Sequence, residues 1–270
     1  MALRASGAIL TDPGRVRDSN EDAVAFLAPG ATGRALAIVA DGMGGHAAGE
    51  VASRLAVETV VRYYQERNDP TPVVLAEAMR MANHVIHQHA TQHRECKGMG
   101  TTCTAIAVDD DCAYLAHVGD SRAYLFRAGT LHQVSEDDSL VAALVRDGTI
   151  TAEQATNHTG RNLILKSLGT RPDVRAMIWQ EGFPLLAGDA LVLCSDGLTD
   201  MVDDRALAAV LQQFPPYEAC LALIDAANCA GGHDNISVGV IALAEATSLA
   251  SPKVLRDTRS ISIPSSGEES

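Results

Sequence analysis

The sequence predicts an α+β domain in which antiparallel β-sheet is covered by pairs of helices, and three features carry that expectation. Short apolar runs rich in alanine and β-branched residues fill positions 35–40, 102–108, 112–118, 122–127, 190–194 and 236–243, the length and composition of buried strands. Asp109-Asp110-Asp111, Gly119-Asp120-Ser121 and Ala128-Gly129 leave no room for crossover helices, so the middle of the chain is expected to be an antiparallel meander. Helical stripes lie between the strands. Val51, Leu55, Thr59 and Tyr63 form one, and Val74, Ala78, Met81 and Val85 form the next. A later pair, Leu207 to Phe214 and Cys220 to Ala227, is split at Pro215-Pro216, where a helix must stop.

Bulk properties narrow the partners. The chain has 270 residues, 47% hydrophobic, enough for one substantial core. Its 34 acidic residues against 21 Lys plus Arg give a formal charge of -13, which disfavours nucleic acid and anionic membrane. Six cysteines at 96, 103, 112, 194, 220 and 229 include no C-x-x-C pair, so they read as small buried hydrophobes of a reducing compartment. The first residues lack an apolar h-region and no apolar run approaches the roughly 18 residues of a membrane span; the expectation is a cytoplasmic protein. Residues 245–270 hold seven serines, two prolines and no aromatic residue, which predicts a flexible tail after a catalytic domain over residues 1–244.

The chemistry is marked by where carboxylates fall. Asp41, Asp120 and Asp196 each follow an apolar run, Asp234 precedes the last one, and Glu21 with Asp22 precedes the apolar stretch 23–27. One Asp-Gly at a strand end is ordinary turn chemistry, but recurrence at several strand mouths points to convergence. Buried like charges repel unless cations neutralise them. Oxygen donors without a histidine or cysteine cluster favour Mg2+ or Mn2+ over zinc, and Gly42, Gly44 and Gly45 would let main-chain carbonyls approach an ion. A carboxylate such as Asp41 could bridge two ions, and two hard cations about 4 Å apart suit phosphate ester hydrolysis by a bridging hydroxide. Arg17 has the planar fork that clamps phosphate, its alternative being a surface ion pair.

Arg17-Asp18-Ser19-Asn20-Glu21-Asp22, Asp41-Gly42-Met43-Gly44-Gly45-His46, Gly100-Thr101-Thr102, Gly119-Asp120-Ser121-Arg122, Ser195-Asp196-Gly197 and Gly232-His233-Asp234-Asn235 resemble, in order and spacing, the metal-dependent Ser/Thr protein phosphatases of type 2C in their bacterial form. The resemblance spans about residues 6–243. It implies a central sandwich of two antiparallel sheets flanked by pairs of antiparallel helices. It also implies two Mn2+ or Mg2+ ions, with Asp41 bridging, Gly42 giving its carbonyl, and Asp196 and Asp234 on the first ion. Glu21 and Asp22 would act through waters, Asp120 would hold a third ion with Asp196, and Asn235 would support Asp234. The implied substrates are phosphoserine and phosphothreonine proteins, opposing a Ser/Thr kinase; separately, a monomer is expected.

Residues 135–169 resemble the family's flap beside the active site, with a helix expected over 136–146. Met43 stands where eukaryotic relatives place a histidine, so the general acid is open between His46 and a metal-bound water. Asp138 and Thr159 replace the histidine and proline frequent in bacterial flaps. His84, His87, His89 and His93 read as solvated helix surface without a carboxylate partner, and Cys194 as a core residue. Two other readings remain: a metal-containing phosphoprotein-binding regulator without turnover, and a dimetal phosphodiesterase, which the charge disfavours.

Overall fold

The structure, a computed structural model, describes residues 3–29, 33–44 and 48–246; the serine-rich tail from residue 247 on and His46 lie outside them. Its chain order begins β1 (Leu3–Asp12), β2 (Asp22–Leu27), β3 (Ala35–Met43), α1 (Ala48–Glu66) and α2 (Thr71–Gln92). β4 (Gly100–Thr101), β5 (Cys103–Asp109), β6 (Cys112–Val118), β7 (Arg122–Arg127) and β8 (Thr130–Gln133) follow. Then come α3 (Leu140–Arg146), α4 (Ala152–Thr156), β9 (Met177–Ile178), β10 (Phe183–Pro184), β11 (Ala190–Cys194), α5 (Asp196–Thr199), α6 (Asp204–Gln213), α7 (Pro216–Cys229) and β12 (Ile236–Glu245).

The strands make two antiparallel sheets, one ordered β1-β12-β11-β7-β8, the other β10-β6-β5-β3-β2 with β4 and β9 as short additions. The side-chain alternation of β3 shows why they stack. Ala35, Ala37 and Val39 join Ile106, Leu115, Leu125, Leu191 and Ile241 in the core between the sheets. Leu36, Ile38 and Ala40 point the other way, onto Ala52, Ala56 and Val60 of α1 and Leu75, Ala78 and Met79 of α2. β11 repeats the pattern: Leu191 and Leu193 face inward, whereas Val192 and Cys194 pack with Leu207, Cys220 and Leu223 of α6 and α7. Each central strand is therefore buried on both faces, which explains apolar runs in place of polar alternation. The sandwich with flanking helix pairs is as expected.

Three details differ from the sequence reading. The middle of the chain is not one meander: β5 and β6 form a hairpin in one sheet, β7 and β8 a hairpin in the other, and residues 119–121 carry the chain between sheets. Gly119 makes that step at φ 109°, with Thr102 packed where its side chain would be, a geometry reserved for glycine. The helix expected over 136–146 begins only at Leu140, capped by Ser139 Oγ on the Ala142 amide. The residues before it are held extended by Asp138 N to Gly119 O (2.7 Å) and by the Glu136 carbonyl on buried His117 (3.0 Å). In α1 and α2 the expected stripes are buried in part, at Thr59, Val74 and Ala78, and the rest of the buried faces is made by Ala52, Ala56 and Val60 and by Leu75, Met79, Ala82 and Ile86.

Among the described residues no helix is long and apolar enough to cross a membrane. All six cysteines are free; Cys96, Cys103, Cys194 and Cys220 are buried as expected, but Cys229 is exposed. Of the four histidines at 84–93, His93, just past α2, does have a carboxylate neighbour, Glu95 at 3.8 Å.

Candidate metal centre

The strand ends that carry acids meet at one edge of the sandwich. Asp22 opens β2 and Asp41 lies near the end of β3, and the two are direct partners in the antiparallel register. Side chains directly across a ladder sit within about 5.5 Å at Cβ, so like charges there repel. Asp196 comes in from the opposite sheet, two residues past β11, near enough for its charge to raise the Asp41 carboxyl. Asp234 enters just ahead of β12, and Asp120 from the turn between sheets.

Two serines join the sheets through one of these acids. Asp22 is buried, and its Oδ2 accepts from Ser195 Oγ (2.8 Å) and Ser237 Oγ (2.6 Å), both from the opposite sheet's side. Burial raises the Asp22 carboxyl to about 7; the Ser237 and Ser195 hydroxyls oppose the shift, and nearby Asp196 and Asp234 add to it. Burial lifts Asp41 well above the usual carboxylate range, helped by Asp22, Asp196, Asp120 and Asp234. Asp120 is raised to about 7 by burial and then Asp196, and Asp196 to about 6 by burial and then Asp234. Each of these acids is raised by at least one other of the set, an electrostatic pattern that suits a cation-binding site.

Unsatisfied atoms agree. Asp22 Oδ1, Asp120 Oδ1 and Asp196 Oδ1 are buried with no hydrogen-bond partner, although such groups are almost always paired. Three orphaned carboxylate oxygens at one sheet edge fit hard divalent cations. No three acidic, histidine or cysteine side chains among the described residues are drawn round one point.

The backbone at the centre is tightly fixed. Asp41 N takes Thr102 Oγ1 (2.8 Å), while Asp41 O accepts from Thr102 N (2.9 Å) and Thr101 Oγ1 (2.8 Å). Gly42 N donates to Glu21 O (3.1 Å). A Cβ on Gly42 would lie 2.2 Å from Gly49 O, and one on Gly49 would lie 2.2 Å from Glu21 Oε2 and 2.8 Å from Gly42 O. Only hydrogen fits at both, so α1 starts hard against the Gly42 carbonyl and Glu21.

Arg17 stands at the rim with its Nη2 2.7 Å from Asp234 Oδ2, the two side chains 55% and 40% exposed. Asn235 works differently from the support for Asp234 that was expected. Only its amide N–H reaches Asp234 Oδ1 (2.8 Å); its side chain takes Glu21 N (2.8 Å) and donates to Pro13 O (3.0 Å) and Ser19 O (2.8 Å). It thereby fixes the loop that carries Arg17 and Glu21. Glu21, partly exposed, is raised first by desolvation, with Arg17 opposing and Asp234 adding.

Every predicted site residue thus lies at this edge: Arg17, Glu21, Asp22, Asp41, Gly42, Asp120, Asp196, Asp234 and Asn235. Ser195, Ser237 and Gly49 were not singled out. Ser195 sits inside the quoted Ser-Asp-Gly motif, and Ser237 is a polar break in the last apolar run; both signals were available. Gly49 carried none.

The protein phosphatase 2C profile matches residues 15–223. The chain belongs to the protein phosphatase 2C family. Among its relatives, the serine/threonine protein phosphatase PstP of Mycobacterium tuberculosis is 40% identical over 233 residues, 85% of this chain and 43% of that protein. The chain thus spans less than half the length of that relative. Protein phosphatase PhpP of Streptococcus pneumoniae is 37% identical over 246 residues, 88% of this chain and 97% of that one. The solved catalytic domain of PstP in complex with two manganese ions superposes with a TM-score of 0.80 at 37% identity, covering 90% of this chain and all of that domain. The phosphatase 2C fold thus extends beyond the profile match, through β12.

Proposed function

We propose that this protein phosphatase 2C member removes phosphate from phosphoserine and phosphothreonine in proteins with the help of Mn2+ or Mg2+, and so opposes a Ser/Thr protein kinase. The observation that carries the reading is the set of orphaned oxygens on Asp22, Asp120 and Asp196 beside Asp41, with a guanidinium at the rim.

In this reading Asp41, Asp196, Asp234 and the Gly42 carbonyl would hold two ions, Asp120 with Asp196 would hold a third, and Glu21 and Asp22 would act through waters. When bound, such ions neutralise charge on the phosphoryl oxygens and let water attack at neutral pH. Arg17 binds the phosphate by exchanging Asp234 for phosphoryl oxygens, which its exposure permits and its fork favours. Asn235 keeps Arg17 and Glu21 in register with the site. Ser195 and Ser237 hold one Asp22 oxygen and leave the other aimed at the centre. A cysteine mechanism is disfavoured: Cys194 is buried and its thiol is pushed up to about 12, mainly by burial. Met43 offers no proton to the leaving alkoxide, so that proton would come from His46 or from a metal-bound water.

The domain reading keeps residues 1–244 as catalytic domain and 245–270 as a flexible tail, in a cytoplasmic monomer. The test is phosphate release from phosphothreonine peptides with Mn2+, lost with chelator and in Asp41→Ala and Asp196→Ala. Release no higher than in an enzyme-free control ends the reading.

A further inference from the structure

Asp120 lies where the chain passes between sheets: β6 has ended at Val118 and β7 begins only at Arg122. Neither ladder reaches it, and its buried Oδ1 has no hydrogen-bond partner among the described residues. What holds it in place comes from a segment distant in sequence. Glu136, Asp137 and Asp138 are consecutive, and they bond the chain on both sides of Asp120.

On the side before Asp120, the Glu136 carbonyl accepts from His117 Nε2 at 3.0 Å. Gly119 is bonded at both of its backbone groups by one residue: Asp138 N donates to Gly119 O at 2.7 Å, and Gly119 N donates to Asp138 Oδ2 at 3.3 Å. On the side after it, the Asp137 carboxylate accepts from Arg122 Nε at 3.0 Å and Nη2 at 2.7 Å. A carbonyl only accepts, so the His117 proton sits on Nε2 and Nδ1 accepts from Thr104 Oγ1 at 2.9 Å. His117 is fully buried, so the segment is pinned to the interior of the sheet and not to a mobile surface.

Charge separates the acids of this corner into two kinds. Asp137 is paired with Arg122 and Asp138 with Lys166, through carboxylates whose side chains are only 11% and 13% exposed. Both oxygens of Asp138 are thereby engaged, one by Lys166 and one by Gly119. An acid already paired with a cation can orient its neighbours, whereas Asp120 keeps an oxygen for an ion.

We propose that Asp138 is a positioning residue for the third cation: by bonding both backbone groups of Gly119 it places Asp120, and so sets how tightly Asp120 with Asp196 binds that ion. The proposal rests on the phosphatase reading, which assigns those two acids to it.

The experiment counts bound Mn2+ without substrate, from the loss of the free-ion electron paramagnetic resonance signal, beside the Mn2+ dependence of phosphothreonine peptide hydrolysis. Asp138→Ala should weaken the most loosely bound ion about tenfold, the usual cost of losing an outer partner of a ligand, and leave the tighter ions unmoved. Asp138→Asn keeps an acceptor for Gly119 N and should stay near wild type. Asp120→Asn removes the ligand itself, so Asp138→Ala added to it should cost nothing more. Should Asp138→Ala not fold, Asp138→Glu takes its place, because the extra methylene moves the acceptor away from Gly119 N and keeps the charge. A loosely bound ion unchanged in Asp138→Ala or Asp138→Glu, all ions weakened alike, Asp138→Asn as impaired as Asp138→Ala, or a double variant worse than Asp120→Asn each overturns the proposal. Wild-type protein that hydrolyses the peptide with a Mn2+ dependence that Asp120→Asn does not move overturns it too, and leaves the phosphatase reading standing. No hydrolysis by the wild type ends both.

Discussion

Asp22 stands directly across the β2–β3 ladder from Asp41, and the carboxylate of Asp22 is held from behind by Ser195 and Ser237 of the other sheet. The strand register places the pair, and the two hydroxyls orient the Asp22 carboxylate. The electrostatic cost is carried by the fold itself, since both acids titrate above the usual carboxylate range.

That cost gives a stability prediction with a definite sign. Asp22 and Asp120 are raised to about 7 and Asp196 to about 6, against an ordinary value near 3.8. A carboxyl that is harder to ionise folded than unfolded favours folding at low pH and loses that contribution as pH rises through its folded pKa. The chelator-treated protein should therefore melt at a higher temperature near pH 5.5 than near pH 8. Mn2+ should reverse the order, raising Tm most at pH 8, where no protons have to leave. Thermal melts across that window, with and without Mn2+, check both. A metal-free melting temperature that climbs with pH would contradict the assignment.

Asn235→Ala tests the loop that carries Arg17. The substitution removes three side-chain hydrogen bonds, to Glu21 N, Pro13 O and Ser19 O, at about 1–3 kcal/mol for a buried group left unpaired. Activity should suffer as well, because Arg17 loses its placement. Arg17→Lys keeps the charge but loses the fork, so it should raise KM for phosphopeptide and leave Tm near wild type. If Arg17→Lys leaves KM unmoved, Arg17 is a surface ion pair and no more.

Gly49→Ala places a methyl 2.2 Å from Glu21 Oε2 and 2.8 Å from Gly42 O. In a helix interior the same change would be favourable by roughly 1 kcal/mol. Here Glu21 or the start of α1 must shift, so Mn2+ affinity by calorimetry should fall although helix content stays. Unchanged affinity would remove Gly42 and Glu21 from the centre.

Much of this arrangement was legible because it depends on local pattern. Residues 112–118, 122–127 and 190–194 are strands at the expected bounds, since each is a continuous apolar run closed by turn residues. The acids were legible for the same reason: each interrupts such a run. What depends on distant partners was not. β1 pairs with β12 over ten residues, yet LRASGAILTD mixes charge, glycine and apolar residues and has no clean period. The jump from β6 to β7 looks like a hairpin turn in sequence, and only the packing of Thr102 against Gly119 shows that the chain changes sheets there. Asn235 sits next to a candidate ligand, and nothing local tells that its side chain turns to the loop at 13–21.

Arg127 provides the control far from the chemistry. Its guanidinium makes paired bonds to Asp189, Nε to Oδ1 at 2.8 Å and Nη2 to Oδ2 at 2.6 Å, and Asp189 is only 2% exposed. Asp189 Oδ2 also accepts from Leu186 N at 2.7 Å, so the carboxylate organises the turn into β11. Removing one partner of such a pair leaves a buried charge without compensation, at about 3–5 kcal/mol, reduced here because Arg127 is partly solvated. Arg127→Met should lower Tm clearly, and Mn2+ affinity and kcat of the folded fraction should stay near wild type. The double change Arg127→Met with Asp189→Asn should recover part of the loss, because the remaining amide no longer needs a cation. A double variant no more stable than the single one would mean that the Asp189 charge is not what the guanidinium stabilises.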